Sequence, residues 1–440
     1  MSNRRYGKVA ELDRLRSKGR PSETAPALVE RTLQTSVDDW LRLVAGTGSE
    51  LGTLLAQPPE EQGRRGHLHT LREITQQPYT WIETARNLVP RATELRSALG
   101  HVTSDDRPGF LALTGSGSSL YAGECLAPGL QRVLGIPVQG VASGELLTHP
   151  HGHLPRTAPS LVVSFARSGN SPESEAVLDA LRGIPSCRHL VITCNRHGRL
   201  AARGTGDPAV TVVVLDDKTC DRSLVMTSSF TNMVLAGRLL AFTPEPKEYE
   251  ARALRLAGLA AQVLIRHGDG LAAAARSGFR SAVYLGSGGR YGSAREAALK
   301  MLEMTSGRVM AFPETYLGLR HGPMAAVDEE SLIVCFLSSD EVVRAYEADL
   351  VRELNRKGLG ARKVLVGADV PGDLPSAGDL VVDVPGLWAV DDDDATLLDV
   401  LVGQTLALFR CMATGLRPDS PSDDGVISRV VESFEIHRRT

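Results

Sequence analysis

Two short stretches indicate the type of fold: FLALTGSGSS at residues 110–119 and AVYLGSGGR at residues 282–290. Each begins with an apolar run that is typical of a buried strand and ends in a Gly/Ser turn, and a helical stretch follows each turn. Strand–turn–helix units of this kind build doubly wound parallel sheets. The sequence therefore predicts an α/β fold.

A shift of 171 positions superimposes the two stretches and the apolar runs that follow them. The matched pairs are Gly115 with Gly286, Gly117 with Gly288, Val163 with Val334, and Phe165 with Phe336. Chance supplies one Gly-Ser-Gly pair, but it rarely supplies a second strand in the same register. We predict an internal duplication, with one parallel sheet in residues 106–265 and a second in residues 266–440.

Residues 1–105 have a different texture, because apolar residues recur there with helical spacing and strand signals are few. They are predicted to form a helical N-terminal extension. The acidic run Asp391–Asp394 is interpreted as a solvated loop or the start of a helix, with a functional role as the more distant alternative.

Composition excludes several classes of protein. The 440 residues are 42% hydrophobic and 23% charged, and the net charge is -3, so no basic field favours nucleic acid or an anionic membrane. The charged N-terminus has no apolar signal segment, and no uncharged stretch approaches the length of a membrane-spanning helix. We expect a cytoplasmic protein with neither nucleic acid nor membrane as a partner.

The six cysteines are scattered and form no CxxC pair, so neither a zinc site nor a disulfide framework is predicted. Several of them lie in apolar runs and are interpreted as small buried side chains. No metal and no redox cofactor is expected.

The turn Thr114–Ser119 follows a strand and opens a helix, so its N–H groups and hydroxyls could hold an anion. A dinucleotide site is disfavoured because the third glycine of GxGxxG is replaced by Leu120, and by Tyr291 in the second copy. A tight turn that needs glycine for its backbone alone is the remaining alternative.

The loop SFARSGNS at residues 164–171 also follows a strand. Arg167 offers a planar, permanently charged fork that suits phosphate, and Ser168 and Ser171 would donate at a helix N-terminus. The alternative is a polar loop whose serines only cap the helix.

Glu296, Lys300 and Glu303 follow the second Gly/Ser turn at helical spacing, which puts all three on one helix face. Such a stripe is usually an exposed set of ion pairs, but the flanking alanines, leucines and methionines indicate partial shielding from water. Glu303 beside Lys300 could then act as a general base. His321 lies in the turn LRHGP, where a loop histidine is a candidate for proton transfer.

These strings together resemble the sugar isomerase (SIS) superfamily, and most closely its AgaS group of tagatose-6-phosphate ketose/aldose isomerases and galactosamine-6-phosphate deaminases. The resemblance runs from about residue 65 to the C-terminus. It is carried by SFARSGNSPES (from Ser164), MTSSFTNM (from Met226), LGSGGRYGSAREAALKMLEMTSG (from Leu285) and LGLRHGP (from Leu317). It implies two tandem SIS domains.

The group is also similar to the isomerase half of glucosamine-6-phosphate synthase, and that likeness implies roles for individual residues. Glu303 would move a proton between C2 and C1, His321 would open the sugar ring, and Lys300 would steady the enolate or enolamine. The residues implied in phosphate binding are Ser116, Ser118, Ser164, Arg167, Ser168 and Ser171. Weaker candidates for substrate binding are Gly117, Thr227, Glu296 and Arg429.

Two departures from the synthase bear on these roles. Glu303 and His321 are further apart here, so the loop between them must differ. The lysine of the synthase's C-terminal tail has no clear lysine counterpart here, and Arg429 is the candidate to replace it. This sequence begins Met-Ser, without the N-terminal cysteine that draws ammonia from glutamine, so release of ammonia or plain isomerisation is the expected direction.

The expected activity is conversion of galactosamine 6-phosphate to tagatose 6-phosphate and ammonia through an enolamine. A plain aldose/ketose 6-phosphate isomerase and a non-catalytic sugar-phosphate regulator are the alternatives. The expected partners are a phosphorylated hexosamine or ketohexose and other copies of the chain, as a homodimer or larger homo-oligomer in which His321 could serve a neighbouring subunit.

The two copies are not equivalent. Where the first has Ser164-Phe-Ala-Arg-Ser168, the second has Cys335-Phe-Leu-Ser-Ser339, without the arginine. We therefore expect the first domain to bind the phosphate and the second to supply Glu303, Lys300 and His321.

Overall fold

A computed structural model describes residues 35–104, 106–422 and 425–437. They form two compact units, each named here by the sheet it contains. The first-sheet unit comprises the described residues of 83–221, 226–253 and 425–437. The second-sheet unit comprises those of 35–82, 222–225 and 254–422.

The first sheet consists of parallel strands in the spatial order β2-β1-β3-β4-β5. Every residue of β3 is buried, as expected for a parallel strand with both faces covered. The strands are β1 (Phe110–Gly115), β2 (Val138–Ala142), β3 (Ser160–Ala166), β4 (Cys187–Thr193) and β5 (Val210–Val214).

The second sheet is also parallel, in the order β10-β9-β8-β6-β7. Numbered from its own first strand, this is the order of the first sheet. The strands are β6 (Ser281–Leu285), β7 (Met310–Glu314), β8 (Ser331–Phe336), β9 (Arg362–Gly367) and β10 (Leu380–Asp383).

Strand register confirms the predicted duplication. In the first sheet Thr114 pairs with Ser164, and in the second Leu285 pairs with Cys335. Both residues of the second pair lie 171 positions after their counterparts, which is the shift found in the sequence. The two-sheet α/β fold is therefore confirmed.

Helices surround the sheets. Those before β1 are α1 (Val37–Ala45), α2 (Glu50–Leu55), α3 (Pro59–Arg65), α4 (Leu68–Thr75), α5 (Gln77–Leu88) and α6 (Ala92–Gly100). Residues 37–100 are thus helical as predicted, while residues 1–34 of the predicted extension lie outside the described residues.

The helices within and after the first sheet are α7 (Ser118–Leu134), α8 (Ser143–Thr148), α9 (Pro150–His153), α10 (Pro172–Leu181), α11 (Arg199–Gly204), α12 (Ser228–Arg238) and α13 (Pro246–Gln262). Those around the second sheet are α14 (Gly268–Arg276), α15 (Gly289–Met304), α16 (Tyr316–Leu319), α17 (Glu341–Arg356) and α18 (Asp392–Ala413).

The acidic run Asp391–Asp394 begins α18. Asp391 is the N-cap, and its carboxylate accepts a hydrogen bond from the N–H of Asp394 at 2.9 Å. Negative charge in a first helical turn is stabilised by the helix dipole. Among the described residues, α18 alone is long and apolar enough to cross a membrane, but 89% of its apolar window is buried inside the protein, as in the core helix of a soluble domain.

Candidate active site

The turn after β1 is built for close approach of the backbone. Gly117 has φ of +56°, a conformation that favours glycine, and its counterpart Gly288 also has φ of +56°. A Cβ on Gly115 would lie 2.5 Å from that of Ser119, so the turn has no room for a larger residue there. Ser118 is the first residue of α7 and is buried, whereas Ser116 is half-buried.

The loop after β3 carries the predicted phosphate-binding side chains. Ser164 is buried within β3, and Arg167 is 7% exposed. Ser168 accepts a hydrogen bond through Oγ from the N–H of Asn170 at 3.3 Å. Ser171 occupies the N-cap position of α10, yet its hydroxyl makes no hydrogen bond to the N–H groups of that helix. Its capping capacity is thus not used by the helix.

Both loops leave the same edge of the first sheet. The register of Thr114 with Ser164 shows that β1 and β3 are neighbours, and β2 lies on the other side of β1. Strand order reverses between β1 and β3, and the crevice beyond the carboxyl ends of strands at such a reversal is where open α/β sheets bind ligands. The structure thus brings the predicted phosphate-binding residues to a topological switch point.

The chain near the C-terminus contributes to the same loop. The guanidinium of Arg167 donates through Nη2 to the carbonyl oxygen of Arg429 at 2.6 Å. Arg429 in turn donates through Nε to the carbonyl oxygen of Asp221 at 3.1 Å. Arg429 therefore lies beside Arg167, although 262 residues separate them in sequence.

Thr227 is held by a buried carboxylate. Asp221 accepts hydrogen bonds from the N–H of Thr227 at 2.8 Å and from its hydroxyl at 3.1 Å. The same carboxylate accepts from the N–H groups of Ser228 and Ser229, each at 3.0 Å. Asp221 thus caps α12, a role the sequence analysis missed; the signal was an acidic residue a few positions before a Ser/Thr run.

In the second-sheet unit, α15 carries the three residues of the predicted charged stripe. The Nζ of Lys300 lies 2.5 Å from Oε2 of Glu303 and 3.4 Å from Oε1 of Glu296. The side chains of Lys300 and Glu296 are fully buried, whereas that of Glu303 is 26% exposed. The stripe is therefore a largely desolvated cluster, and of its three side chains only that of Glu303 is partly exposed.

Close packing fixes this helix. A Cβ on Gly403 of α18 would lie 2.5 Å from the Cβ of Ala297 on α15. Further along, the guanidinium of Arg290 makes a two-pronged ion pair with Asp399, through Nη2 at 2.6 Å and Nε at 2.7 Å. Burial raises the pKa of Asp399 to about 6 despite that pairing. These contacts give Glu303 a rigid support.

His321 lies in a turn, as predicted, between α16 and the short 3-10 helix Pro323–Ala326. It is exposed, and its N–H donates to the carbonyl oxygen of Gly318 at 2.9 Å. Gly322 follows with φ of +129°, a conformation that favours glycine. The imidazole is therefore displayed by a rigid turn.

No group of three or more His, Cys, Asp or Glu side chains that could hold a metal ion occurs within residues 35–104, 106–422 and 425–437.

No protein-family model matches the chain, but individual proteins are similar to it. D-galactosamine-6-phosphate deaminase AgaS of Escherichia coli O157:H7 is 36% identical over 371 residues, which cover 84% of this chain and 95% of that protein.

Two solved structures are similar. Tagatose-6-phosphate ketose/aldose isomerase from Escherichia coli has a TM-score of 0.74 at 32% identity, covering 84% of this chain and 96% of its own. The C-terminal domain of glucosamine-fructose-6-phosphate aminotransferase from Francisella tularensis has a TM-score of 0.68 and covers 80% of this chain and 98% of its own. At 18% identity the latter supports the fold alone.

Proposed function

The chain belongs to the AgaS family of SIS-domain enzymes, and from that premise we propose that it converts D-galactosamine 6-phosphate and water to tagatose 6-phosphate and ammonia. The observation that carries the proposal is the buried Lys300 beside the partly exposed Glu303. A carboxylate held in this way is suited to moving a proton between adjacent carbon atoms.

The phosphate is proposed to bind at the switch point of the first sheet. Arg167 would supply a permanent charge, and the hydroxyls of Ser116, Ser118, Ser168 and Ser171 would donate to the phosphate oxygens. Ser164 is buried in β3 and would help to position the loop that follows this strand. Gly117 would allow close approach of the phosphate to the backbone, and Arg429 would act through its carbonyl contact with Arg167.

The chemistry is assigned to residues of the second-sheet unit. His321 would transfer the proton that opens the sugar ring and exposes the C1 aldehyde. Glu303 would then remove the proton from C2, which gives an enolamine with its double bond between C1 and C2. Lys300 would stabilise the developing negative charge, and Glu296 would pair with Lys300 from within the protein.

The remaining steps convert the enolamine to the ketose 6-phosphate and ammonia. Return of the proton to C1 converts the enolamine into an imine at C2. Water adds to that carbon, and the nitrogen leaves as ammonia, so the products are the ketose 6-phosphate and one ammonia. Binding of the phosphate, remote from C1 and C2, would supply binding energy that orients the reacting carbons.

The test is incubation with galactosamine 6-phosphate, with separate measurement of ammonia and tagatose 6-phosphate. Glu303→Gln is expected to lower kcat by about 10²- to 10⁴-fold with little change in substrate binding. The matched control is Glu329→Gln, at an exposed glutamate of the same unit. Unchanged turnover in Glu303→Gln would refute the assignment of the base.

A plain isomerase is the second candidate, because the Escherichia coli structure at 32% identity is named a tagatose-6-phosphate ketose/aldose isomerase. The same assay separates the two. Release of no ammonia from galactosamine 6-phosphate, together with conversion of tagatose 6-phosphate to its aldose, would favour the isomerase. Binding without any turnover would favour a sugar-phosphate regulator.

A phosphosugar is the substrate class consistent with the named relatives. Three further expectations stay predictions. The first is assembly into a homodimer or larger homo-oligomer, which measurement of the mass in solution would test. A cytoplasmic location and the domain bounds 106–265 and 266–440 are likewise proposed from the sequence.

A further inference from the structure

The second sheet has its own counterpart of the proposed phosphate site. Ser287 stands 171 positions after Ser116, and Ser338 and Ser339 stand 171 positions after Arg167 and Ser168. These three serines lie in the turn after β6 and the loop after β8, and β6 and β8 are neighbouring strands. We call this set of serines the second cradle.

Two carboxylates of the same unit occupy the second cradle. Glu347 of α17 accepts hydrogen bonds from the hydroxyl of Ser287 at 2.8 Å and from the N–H of Ser338 at 2.7 Å. Asp392, the first residue of α18, accepts from the N–H of Ser339 at 3.0 Å and from the hydroxyl of Ser338. Two hydroxyls and two backbone N–H groups thus donate to protein carboxylates.

This is the donor set that a phosphate would use. Hydroxyls and N–H groups at a turn before a helix are the usual ligands of phosphate oxygens, and two carboxylates present the same kind of acceptor. We propose that the second-sheet unit keeps its copy of the phosphate cradle filled with its own carboxylates, Glu347 and Asp392, so that each chain has a single phosphosugar site. The part concerning the single site rests on the proposed function.

Charge and burial support this inference. Glu347 is fully buried, and burial raises its pKa although it accepts two hydrogen bonds. Arg290, also fully buried, balances the carboxylates, with Nη1 3.4 Å from Asp392 and the rest of its fork on Asp399. A phosphate arriving here would meet two carboxylates at close range, which repel it.

The first-sheet unit lacks a carboxylate at the position that matches Glu347, although Asp221 stands 171 positions before Asp392. The residue 171 positions before Glu347 is Ala176, which has no charge to offer. The two copies therefore differ at this point, with an apolar residue in the first and a carboxylate in the second, and Arg167 of the first copy corresponds to Ser338 of the second. Both changes favour an internal anion over an external one.

The second cradle is also too far from Glu303 to serve as the phosphate site of the proposed reaction. The second cradle precedes Gly289, at the start of the helix, whereas Glu303 is near its end. At 1.5 Å per residue these points are about 21 Å apart along the axis. A hexose 6-phosphate is far shorter than that, so a phosphate in the second cradle could not position a sugar at Glu303.

The first experiment counts ligands. Galactosamine 6-phosphate is titrated calorimetrically into the full chain carrying Glu303→Gln, which suppresses turnover. We expect saturation at one ligand per chain, and saturation at two would overturn the proposal. Absence of any binding would contradict the proposed function instead, and the second experiment would then decide the inference.

The second experiment opens the second cradle. In an Arg167→Ala background, which weakens the first site, Glu347→Ala is added and thermal unfolding is followed by tryptophan fluorescence in sodium phosphate and in sodium chloride of equal ionic strength. Trp40, Trp81 and Trp388, the only tryptophans of the sequence, all belong to the second-sheet unit. Phosphate should therefore raise the unfolding temperature by several degrees when Glu347 is replaced, and should give no such shift in the Arg167→Ala background alone.

Controls keep the result specific. Glu341→Ala removes an exposed carboxylate from the same helix and should give no phosphate-specific shift. Asp392→Asn keeps the volume of the side chain and removes its charge, so it should give a smaller shift of the same sign even if Glu347→Ala does not fold. Absence of a phosphate-specific shift in both folded variants would overturn the proposal.

Discussion

Lys300 offers the sharpest test of the buried cluster on α15. Its Nζ lies 3.4 Å from Glu296 and 2.5 Å from Glu303, and neither Lys300 nor Glu296 is exposed. Lys300→Met preserves the length and apolar stem of the side chain and removes only the charge. The variant therefore leaves the Glu296 carboxylate buried without this cation.

The expected loss of unfolding free energy in Lys300→Met follows from the burial of its partner. Removing one partner of a buried ion pair costs about 3–5 kcal/mol, because the remaining charge is no longer compensated. The Glu303 contact should add less than about 1 kcal/mol, because that carboxylate is 26% exposed and water screens it. We therefore expect Lys300→Met to lower the free energy of unfolding by about 3–5 kcal/mol, and Glu303→Gln by less than about 1 kcal/mol.

The assay is urea unfolding followed by tryptophan fluorescence, which reports on the second-sheet unit alone because all three tryptophans belong to it. Trp40 and Trp81 are fully buried, so unfolding changes their surroundings strongly. The double variant Glu296→Gln/Lys300→Met leaves no buried charge from this pair and should recover most of the lost stability.

Two results would refute the reasoning. Lys300→Met could unfold at the same urea concentration as the wild type, which would mean that Lys300 does not compensate a buried charge. The double variant could be no more stable than Lys300→Met, which would mean that the loss has another cause than the charge left on Glu296.

Three further predictions concern binding, packing and pH. Arg167→Ala should raise KM for galactosamine 6-phosphate by roughly 10- to 100-fold with little change in kcat, because a charge-assisted hydrogen bond contributes about 1.5–3 kcal/mol. Gly403→Ala should lower the stability of the second-sheet unit by about 1–3 kcal/mol and lower kcat, because the added methyl group would overlap Ala297 on α15. Burial lowers the pKa of His189 from 6.5 to about 4, so the unfolded chain binds the proton more readily and stability falls with the pH between these values. Calorimetry should show a loss of about 2 kcal/mol between pH 7 and pH 5 that His189→Phe removes.

Matched control variants check the predictions for Arg167 and Gly403. Arg188→Ala removes an exposed arginine from the first-sheet unit and should leave KM unchanged. Gly258→Ala adds a methyl group to a helix where no atom lies within 4 Å, so it should be neutral or stabilising. Equal effects of the test and control variants would contradict the first two predictions, and an unchanged pH dependence in His189→Phe would contradict the third.

The outline of the fold could be read from the sequence because its signals are local. Each Gly/Ser turn lies between an apolar strand and a helix, and the shift of 171 positions that aligns the two turns is the shift that relates the strand pairs. Helical spacing also put Glu296, Lys300 and Glu303 on one face correctly. What spacing could not reveal is that Lys300 and Glu296 are fully buried while Glu303 reaches solvent.

The duplicated α/β architecture and the residue types at the ends of its strands are thus encoded in local sequence patterns, since backbone geometry and helical periodicity depend on near neighbours. Which protein groups the loop residues pair with depends instead on long-range packing. Asp392 reaches Ser338 across 54 residues, and Arg429 reaches Arg167 across 262. Contacts at such separations depend on how helices pack on sheets, and a carboxylate becomes an internal ligand only where that packing brings it to unpaired donors and excludes water.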